Sequence, residues 1–184
     1  MNHFKFNDVL KLFLKSISFI VFISFYSCNT YYSDQHIEIK EDGLIYKVGR
    51  ENPFTGMIID TLNNNILEYE VVEGVKNGVF KVSSINGIVT ILGNVQDNMN
   101  IGEWNYYYPN GQLESKGNFK NDLPEGKWTW YYYNGNLKES GTFLGGLKTG
   151  RWYKYNGEGS LISIILYDNG DVIDESHLDI MRSI

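Results

Sequence analysis

Residues 102–113 read GEWNYYYPNGQL, and residues 126–137 read GKWTWYYYNGNL. A further copy begins at Gly150, so the Gly-x-Trp motif recurs with a period of 24 residues. Extending the pattern toward the N-terminus gives copies at Gly78 and, slightly shorter, at Gly56, in which the tryptophan is replaced. A fixed period of this length is typical of proteins built from stacked supersecondary units. The predicted repeats lie within residues 42–173 and cover residues 56–77, 78–101, 102–125, 126–149 and 150–173.

Each repeat is predicted to be a β-hairpin. In the copy that begins GEWNYYY, Asn110 and the glycine after it lie between two runs of strand-forming residues. An Asn-Gly pair in this position predicts a two-residue turn, because both residues tolerate positive φ. With that turn, Trp104 pairs with Gly117 and Tyr108 pairs with Leu113 across the hairpin. A large aromatic ring beside a strand glycine covers backbone that the glycine leaves bare.

The composition and the alternation of side chains predict an all-β fold. Aromatic residues make up 15% of the 184 residues, and alanine, the best helix former, does not occur. One face of each hairpin is apolar and the other is mostly polar. Short connections between the hairpins predict one twisted, curved, single-layer antiparallel sheet of about ten strands. The residues expected at the core of the repeats are Trp104, Trp128, Trp152, Leu113, Leu137, Leu161, Gly117 and Gly141.

A single sheet cannot bury its own apolar face without a second layer. We expect either that curvature folds this face inward or that another molecule covers it, including a second copy of the chain in a homo-oligomer. Residues 174–184 place Leu178, Met181 and Ile184 at helical spacing. This spacing predicts one short helix that caps the C-terminal end of the sheet.

The N-terminus has the pattern of an export signal. Residues 1–15 carry three lysines against one acid, and residues 16–27 (SISFIVFISFYS) carry no charge. Cys28, the only cysteine, follows directly. This arrangement resembles a bacterial lipobox, which implies cleavage before the cysteine and lipidation of Cys28. The predicted divisions are a lipoprotein signal peptide at residues 1–27 and a polar tether at residues 28–41.

The residue after the cysteine bears on location. Asn29 is not the aspartate that is associated with retention in the inner membrane. The resemblance therefore implies an outer-membrane lipoprotein of the cell envelope, facing either the periplasm or the cell surface. The alternatives for this segment are an uncleaved N-terminal anchor and a plain signal peptide.

The repeat motif resembles the MORN-repeat-variant family, whose bacterial members include YwqK-type "antitoxin" proteins. The family pattern is Gly-x-Trp-x-x-Tyr-Tyr-x-x-Gly-x-Leu, which occurs here as GEWNYYYPNGQL and GKWTWYYYNGNL. The segment NPFTG, which ends at Gly56, is also similar to a segment found before the repeats in that family. The resemblance covers about residues 43–173 and implies a solenoid of hairpins.

A column of tyrosines is the candidate binding site. Tyr107, Tyr131 and Tyr155 recur every 24 residues on the otherwise polar face, and Lys116 and Lys138 lie beside them. Tyrosine supplies contact area at a low entropy cost, which suits a binding surface. The alternative is that these tyrosines serve strand packing alone.

Residues that would support catalysis or cofactor binding are not evident. The histidines His3, His36 and His177 are not at metal-ligand spacing, and no carboxylate has a partner that the sequence can place. The net charge of −6 gives no electrostatic basis for binding nucleic acid. We therefore predict a non-enzymatic scaffold without metal or cofactor, held to the membrane by its lipid, that binds a protein partner. A toxin-neutralising antitoxin and a glycan-binding module are the alternatives.

Overall fold

The computed structural model describes residues 31–32 and 36–178. The predicted signal peptide, Cys28 and residues 179–184 lie outside the described residues. The described part contains no helix that could span a membrane. The strands are β1 Tyr31–Tyr32, β2 Ile37–Ile39, β3 Ile45–Lys47, β4 Gly56–Leu62, β5 Asn65–Val72, β6 Val75–Ser84, β7 Val89–Gln96, β8 Met99–Tyr107, β9 Leu113–Lys120, β10 Leu123–Tyr131, β11 Leu137–Leu144, β12 Leu147–Tyr155, β13 Leu161–Asp168 and β14 Asp171–His177.

The large sheet follows the order of the chain. From β4 to β14, each strand lies beside the next one in sequence and pairs with it in antiparallel fashion. Strand β1 adds to β4 in parallel, which gives a sheet of 12 strands. The predicted all-β fold, one open antiparallel sheet of hairpins, is confirmed. Each 24-residue repeat contributes two strands.

From β5 onward, two kinds of turn alternate along the sheet, and the Asn-Gly turns are not of the predicted kind. After β8, the N–H of Tyr108 donates to the carbonyl oxygen of Gln112 (2.8 Å), and within this loop only Gly111 has a positive φ, of 82°. This is a three-residue loop, a type I turn followed by a glycine bulge. Tyr107 consequently pairs with Leu113, and the predicted pairing of Tyr108 with Leu113 is wrong.

Two-residue turns with positive φ at both positions connect successive hairpins, and one also closes the first hairpin, where Asn63 and Asn64 have φ of 49° and 64°. Asn121 and Asp122, with φ of 50° and 65°, join β9 to β10, and Gly145 and Gly146, with φ of 56° and 86°, join β11 to β12. Such type I′ turns match the twist of the strands they connect. Asp122 also bonds to Asn100 of β8, donating its N–H to the carbonyl oxygen (3.1 Å) and accepting the N–H at Oδ1 (2.8 Å). Each connection is thereby tied to the preceding hairpin.

The Gly-x-Trp motif places a bulge within the first strand of each hairpin. The pairing of β10 with β9 shifts by two residues between Glu125 and Thr129, so that residues 126–128 all lie opposite Gly117. Gly126 adopts a φ of 71°, a conformation that glycine tolerates without steric cost. The same shift occurs at the corresponding glycines of other copies, Gly78, Gly102 and Gly150.

The tryptophan ring lies over a glycine of the preceding strand. The predicted pairing of Trp104 with Gly117 is confirmed by the register. However, a Cβ added at Gly117 would overlap ring atoms of Trp128, whereas the ring of Trp104 covers Gly93, eleven residues before it. The contact between tryptophan and glycine therefore joins successive repeats and does not close a single hairpin.

A separate two-stranded sheet, β2 paired with β3, covers the first strands of the large sheet. Ile45 of β3 and Phe54 pack with Ile58 of β4 in one buried cluster, and Ile37 of β2 packs against it. The predicted tether at residues 28–41 therefore needs correction, since its last part forms a strand. The physical reason is that Ile37 buries its apolar side chain against this cluster, whereas Ile39 stays 70% exposed.

The C-terminal end is a strand at the position where the spacing of apolar residues predicts a helix. Asp174 and the residues up to His177 belong to β14, and the N–H of Leu178 donates to the carbonyl oxygen of Ile162 (2.9 Å). The type I′ turn at Asn169 returns the chain along β13, so strand pairing overrides the helical spacing. The rest of the predicted cap lies outside the described residues.

Candidate functional site

The apolar face of the large sheet is filled by an array of aromatic rings. Along the array, neighbouring ring centroids are 5.5–6.5 Å apart and the planes differ by 26–34°. Trp104, Trp128 and Trp152 are only 4%, 5% and 0% exposed. The side chains of this face therefore close it largely by themselves and leave little of the tryptophans to a ligand. The array runs through Phe80, Trp104, Tyr106, Trp128, Trp130 and Trp152.

Each repeated tryptophan also bonds to the preceding strand. Its indole N–H donates to the carbonyl of the residue that follows the covered glycine. Tyr106 and Trp130, which also belong to the array, are absent from the predicted core although they occupy the next position on the same face. Burial raises the pKa of the Tyr106 phenol, so this group stays neutral. The indole bonds run from Trp104 to Asn94 (3.1 Å), from Trp128 to Asn118 (3.0 Å) and from Trp152 to Thr142 (3.2 Å).

One tyrosine of each Tyr-Tyr-Tyr run, Tyr108 in the first and Tyr132 in the second, joins neighbouring repeats. The hydroxyl of Tyr108 donates to the carbonyl oxygen of Tyr131 (2.7 Å), and that of Tyr132 donates to Tyr155 (2.8 Å). Desolvation, with smaller effects of Glu114 and Tyr132, raises the pKa of Tyr108 and keeps it a donor. These tyrosines are structural, and they fix the spacing of the hairpins at the edge that carries the three-residue loops.

The tyrosine row, defined as Tyr107, Tyr131 and Tyr155, lies on the face opposite the aromatic array. Tyr107 follows Tyr106 and Tyr131 follows Trp130, and successive side chains of a strand point to opposite faces. All three members of the row are half-buried. Equivalent residues of adjacent hairpins are two strands apart, which corresponds to about 9.5 Å. The structure thus brings the predicted tyrosines into register on one face.

The two lysines predicted beside this row are placed differently. Lys116 is exposed and pairs with Asn105 and Thr129, which places it on the face of the tyrosine row. Lys138 directs its Nζ to the ring of Tyr132, 5.6 Å from the centroid. Lys138 therefore contacts a structural tyrosine, and Lys116 is the lysine placed to contact a ligand on the row.

The structure shows three predicted core leucines outside the two core clusters. Leu113, Leu137 and Leu161 are half-buried, and each lies two residues after the glycine of a three-residue loop. The glycine bulge in that loop moves these leucines away from the register in which they would face the tryptophans. Gly117 and Gly141, in contrast, are buried beneath the rings that cover them.

A second row on the tyrosine face was missed by the sequence reasoning. Met99, Leu123 and Leu147 begin β8, β10 and β12 and are 38%, 50% and 50% exposed. Leu123 pairs with Lys120, which alternates with the buried Phe119. The leucine row, defined as Met99, Leu123 and Leu147, therefore shares the face of the tyrosine row. The 24-residue spacing is the signal that could have revealed it, since each residue alone looks like an ordinary position after a turn.

The described residues 31–32 and 36–178 contain no group of three or more His, Cys, Asp or Glu side chains that could hold a metal ion. The site consists of two rows of uncharged side chains, with Lys116 and Lys120 exposed on the same face. Such a surface can bind by contact area and hydrogen bonding from the tyrosine hydroxyls.

The comparison with protein families supports the repeat architecture. The family model described as "MORN repeat variant" matches residues 101–121 and 124–144, which span most of β8 to β11. The resemblance is thus confirmed for two repeats, and it indicates a repeat scaffold of a kind associated with protein or membrane interaction, not a catalytic family. The YwqK-type grouping stays a prediction. No curated protein matches the chain.

Proposed function

We propose that this chain is a non-enzymatic scaffold of the cell envelope that holds a protein partner on the tyrosine row and the leucine row. The observation that carries the proposal is the register of the two rows on one face, while the side chains of the opposite face close that face themselves. A surface with two parallel rows of aromatic and aliphatic side chains offers the contact area that protein interfaces use.

The contacts between repeats support a rigid surface. From residue 78 onward, each repeat is joined to the next by an indole bond, and the three tryptophan repeats are also joined to one another by tyrosine hydroxyl bonds of 2.7–2.8 Å. The connections between hairpins add a third link through the backbone. A surface held in this way loses little conformational freedom when a partner binds, and this lowers the cost of association.

A photoreactive phenylalanine analogue in place of Tyr131 tests the protein-binding role. In intact cells we expect a specific crosslinked protein from position 131. The same analogue at Tyr133, which is 58% exposed at a loop, is the control and should give no such product. Equal crosslinking from both positions, or none from position 131, would overturn the proposal.

A glycan-binding role predicts a different result. The repeated tryptophans are at most 5% exposed, so sugar rings would have to stack on the tyrosine row. Retention of the protein on cell-wall polysaccharide that is lost in Tyr107→Ala with Tyr131→Ala would favour this alternative. An antitoxin role would show itself if the crosslinked partner were a toxin and deletion of this chain harmed the cell.

The envelope location rests on lipidation of Cys28. Strand β1 begins three residues after this cysteine, a span of at most about 11 Å. A lipid on Cys28 would therefore hold the β1 edge of the sheet close to the membrane. Cys28→Ser should remove the acyl mass and release the protein from membranes. A wild-type protein without lipid, together with a variant that stays membrane-bound, would contradict this part of the proposal.

A further inference from the structure

The two edges of the large sheet differ in how they are covered. At the first edge, β1 pairs with β4 and occupies part of the backbone of that strand. At the other edge, β14 pairs with β13 alone among the described residues. An uncovered strand presents unpaired N–H and C=O groups and is a template for the addition of another strand.

The hydrogen bonds identify the outward groups of β14. The N–H of Leu178 donates to the carbonyl oxygen of Ile162 in β13 (2.9 Å). In an antiparallel pair, every second residue before Leu178 therefore also directs its backbone N–H and C=O toward β13. Ser176 and Asp174 therefore face β13 with their backbone groups. Glu175 and His177 direct their N–H and C=O groups away from the sheet. All seven residues of β14 are exposed.

Negative charge is concentrated at the same edge. Residues 155–178 contain five acids and neither lysine nor arginine. Asp171, Asp174 and Glu175 lie on β14 itself, and Val172 and Ile173 beside them are 55% and 60% exposed. A strand that pairs with β14 would therefore meet two adjacent acids next to two apolar residues.

A second copy of the chain is a poor occupant of this edge. An antiparallel pair of β14 strands centred on Glu175 would place this carboxylate directly opposite its own copy, and like charges in that position destabilise a sheet. A centre two residues earlier would place Glu175 opposite Asp171. The charges thus disfavour self-pairing and favour a strand of opposite sign.

We propose that the β14 edge accepts an extended basic segment of a partner protein as an added antiparallel strand. Two lysine or arginine residues would lie opposite Asp174 and Glu175, and two apolar residues would lie opposite Val172 and Ile173. This site is separate from the tyrosine row and does not depend on it, so Tyr131→Ala should leave it unchanged.

The test uses the full-length chain in detergent and a labelled peptide with blocked ends that contains two threonines, two lysines and two valines in that order. We expect saturable binding by fluorescence anisotropy and none for a peptide with glutamates in place of the lysines. Asp174→Asn with Glu175→Gln should weaken binding roughly fivefold or more, because two charged cross-strand pairs are lost. Glu158→Gln with Asp168→Asn removes the same charge outside β14 and should cost less.

Amide hydrogen exchange separates strand addition from simple charge attraction. The bound peptide should protect the N–H groups of Glu175 and His177, whereas those of Asp174 and Ser176 are already protected by β13. Glu175→Pro, which removes one outward N–H, should abolish binding. Binding without this protection, no binding at all, or a wild-type dimer that Asp174→Lys dissociates would each overturn the proposal.

Discussion

The two ends of the large sheet bury their apolar face by different means. At the N-terminal end, Ile58 is 0% exposed because Phe54 and the β2–β3 sheet form a second layer over it. Among the tryptophan repeats, Trp152 is also 0% exposed, yet its neighbours are other rings of the same sheet, Trp130 and Phe143. A single sheet can therefore be closed either by added chain or by large rings that lie flat on it.

The glycines explain how the second means works. A ring can lie flat on the backbone only where no Cβ stands beneath it, and Gly141 provides that space under Trp152. In the copy that begins at Gly78, Phe80 takes the place of the tryptophan, and Tyr69 stands eleven residues earlier where the glycine would be. Phe80 stacks on Tyr69 at 6.4 Å. Glycine and tryptophan thus act as one unit, and both are absent together.

The largest effect is expected when a ring of the array is removed. Trp152→Ala should lower the free energy of unfolding by about 3–5 kcal/mol, because a fully buried aromatic side chain leaves a cavity and exposes Gly141. Urea denaturation measures this change. Ile85→Ala, at a 57% exposed position between β6 and β7, is the control and should alter stability by less than about 0.5 kcal/mol. Similar losses for both variants would show that the rings are not the second layer of these repeats.

The added layer at the other end gives the next effect. Ile58→Ala should cost about 2–5 kcal/mol, since Ile58 is enclosed by Phe54 and Val71. Hydrogen exchange should show the loss first in β2 to β5, while the tryptophan repeats stay protected. Exchange that rises equally in β10 to β13 would mean that the two ends do not differ in how they are stabilised.

The glycine–tryptophan unit itself can be tested by a double-mutant cycle. Gly141→Ala should cost about 1–3 kcal/mol, because the new Cβ overlaps the ring of Trp152. In the background of Trp152→Ala the same change should cost almost nothing, so the two effects are coupled. Gly157→Ala is the matched control, since a Cβ at Gly157 meets nothing within 4 Å. Additive changes in the free energy of unfolding at positions 141 and 152 would show that this glycine and this tryptophan do not act as one unit.

The repeat and the all-β fold could be predicted because a 24-residue period with strand alternation constrains every copy in the same way. The sequence could not show that the two-residue turns lie at Asn121-Asp122 and not at Asn-Gly. Both pairs tolerate positive φ, and composition alone does not favour one over the other. The choice depends on the bulge that follows each three-residue loop, which is a property of the assembled register.

The candidate site was predicted in part for a similar reason. The tyrosine row follows from the period and from alternation, both of which are local. The position of the Trp104 ring over Gly93 does not follow from them, because the bulge at Gly102 turns this side chain toward the preceding hairpin. The contact of Lys138 with Tyr132 could not be predicted for the same reason, since it depends on where the loops place these residues.

The smallest effect on stability is expected from a difference between two lysines at the same position of the repeat, Lys76 and Lys148. The Nζ of Lys148 lies 3.8 Å from the centroid of the Trp152 ring and 3.1 Å from Oε1 of Glu139. At the other end, the Nζ of Lys76 lies 5.2 Å from the Tyr69 ring, and burial lowers its pKa from 10.5 to about 8. The array therefore pairs one lysine with a carboxylate, while burial at the end without tryptophan lowers the pKa of the other lysine.

This difference predicts a pH dependence that belongs to Lys76. Between pH 8 and 10.5 the unfolded chain keeps the Lys76 proton that the folded chain releases, so stability should rise with pH in this window. The raised pKa of Tyr106 acts in the opposite direction above about pH 10, where unfolded tyrosine loses its proton first. Urea denaturation from pH 7 to 9.5 should show the rise in the wild type and a flatter profile in Lys76→Met. Lys148→Met should retain the rise and lose stability at every pH, and an unchanged slope in Lys76→Met would assign the titration to another group.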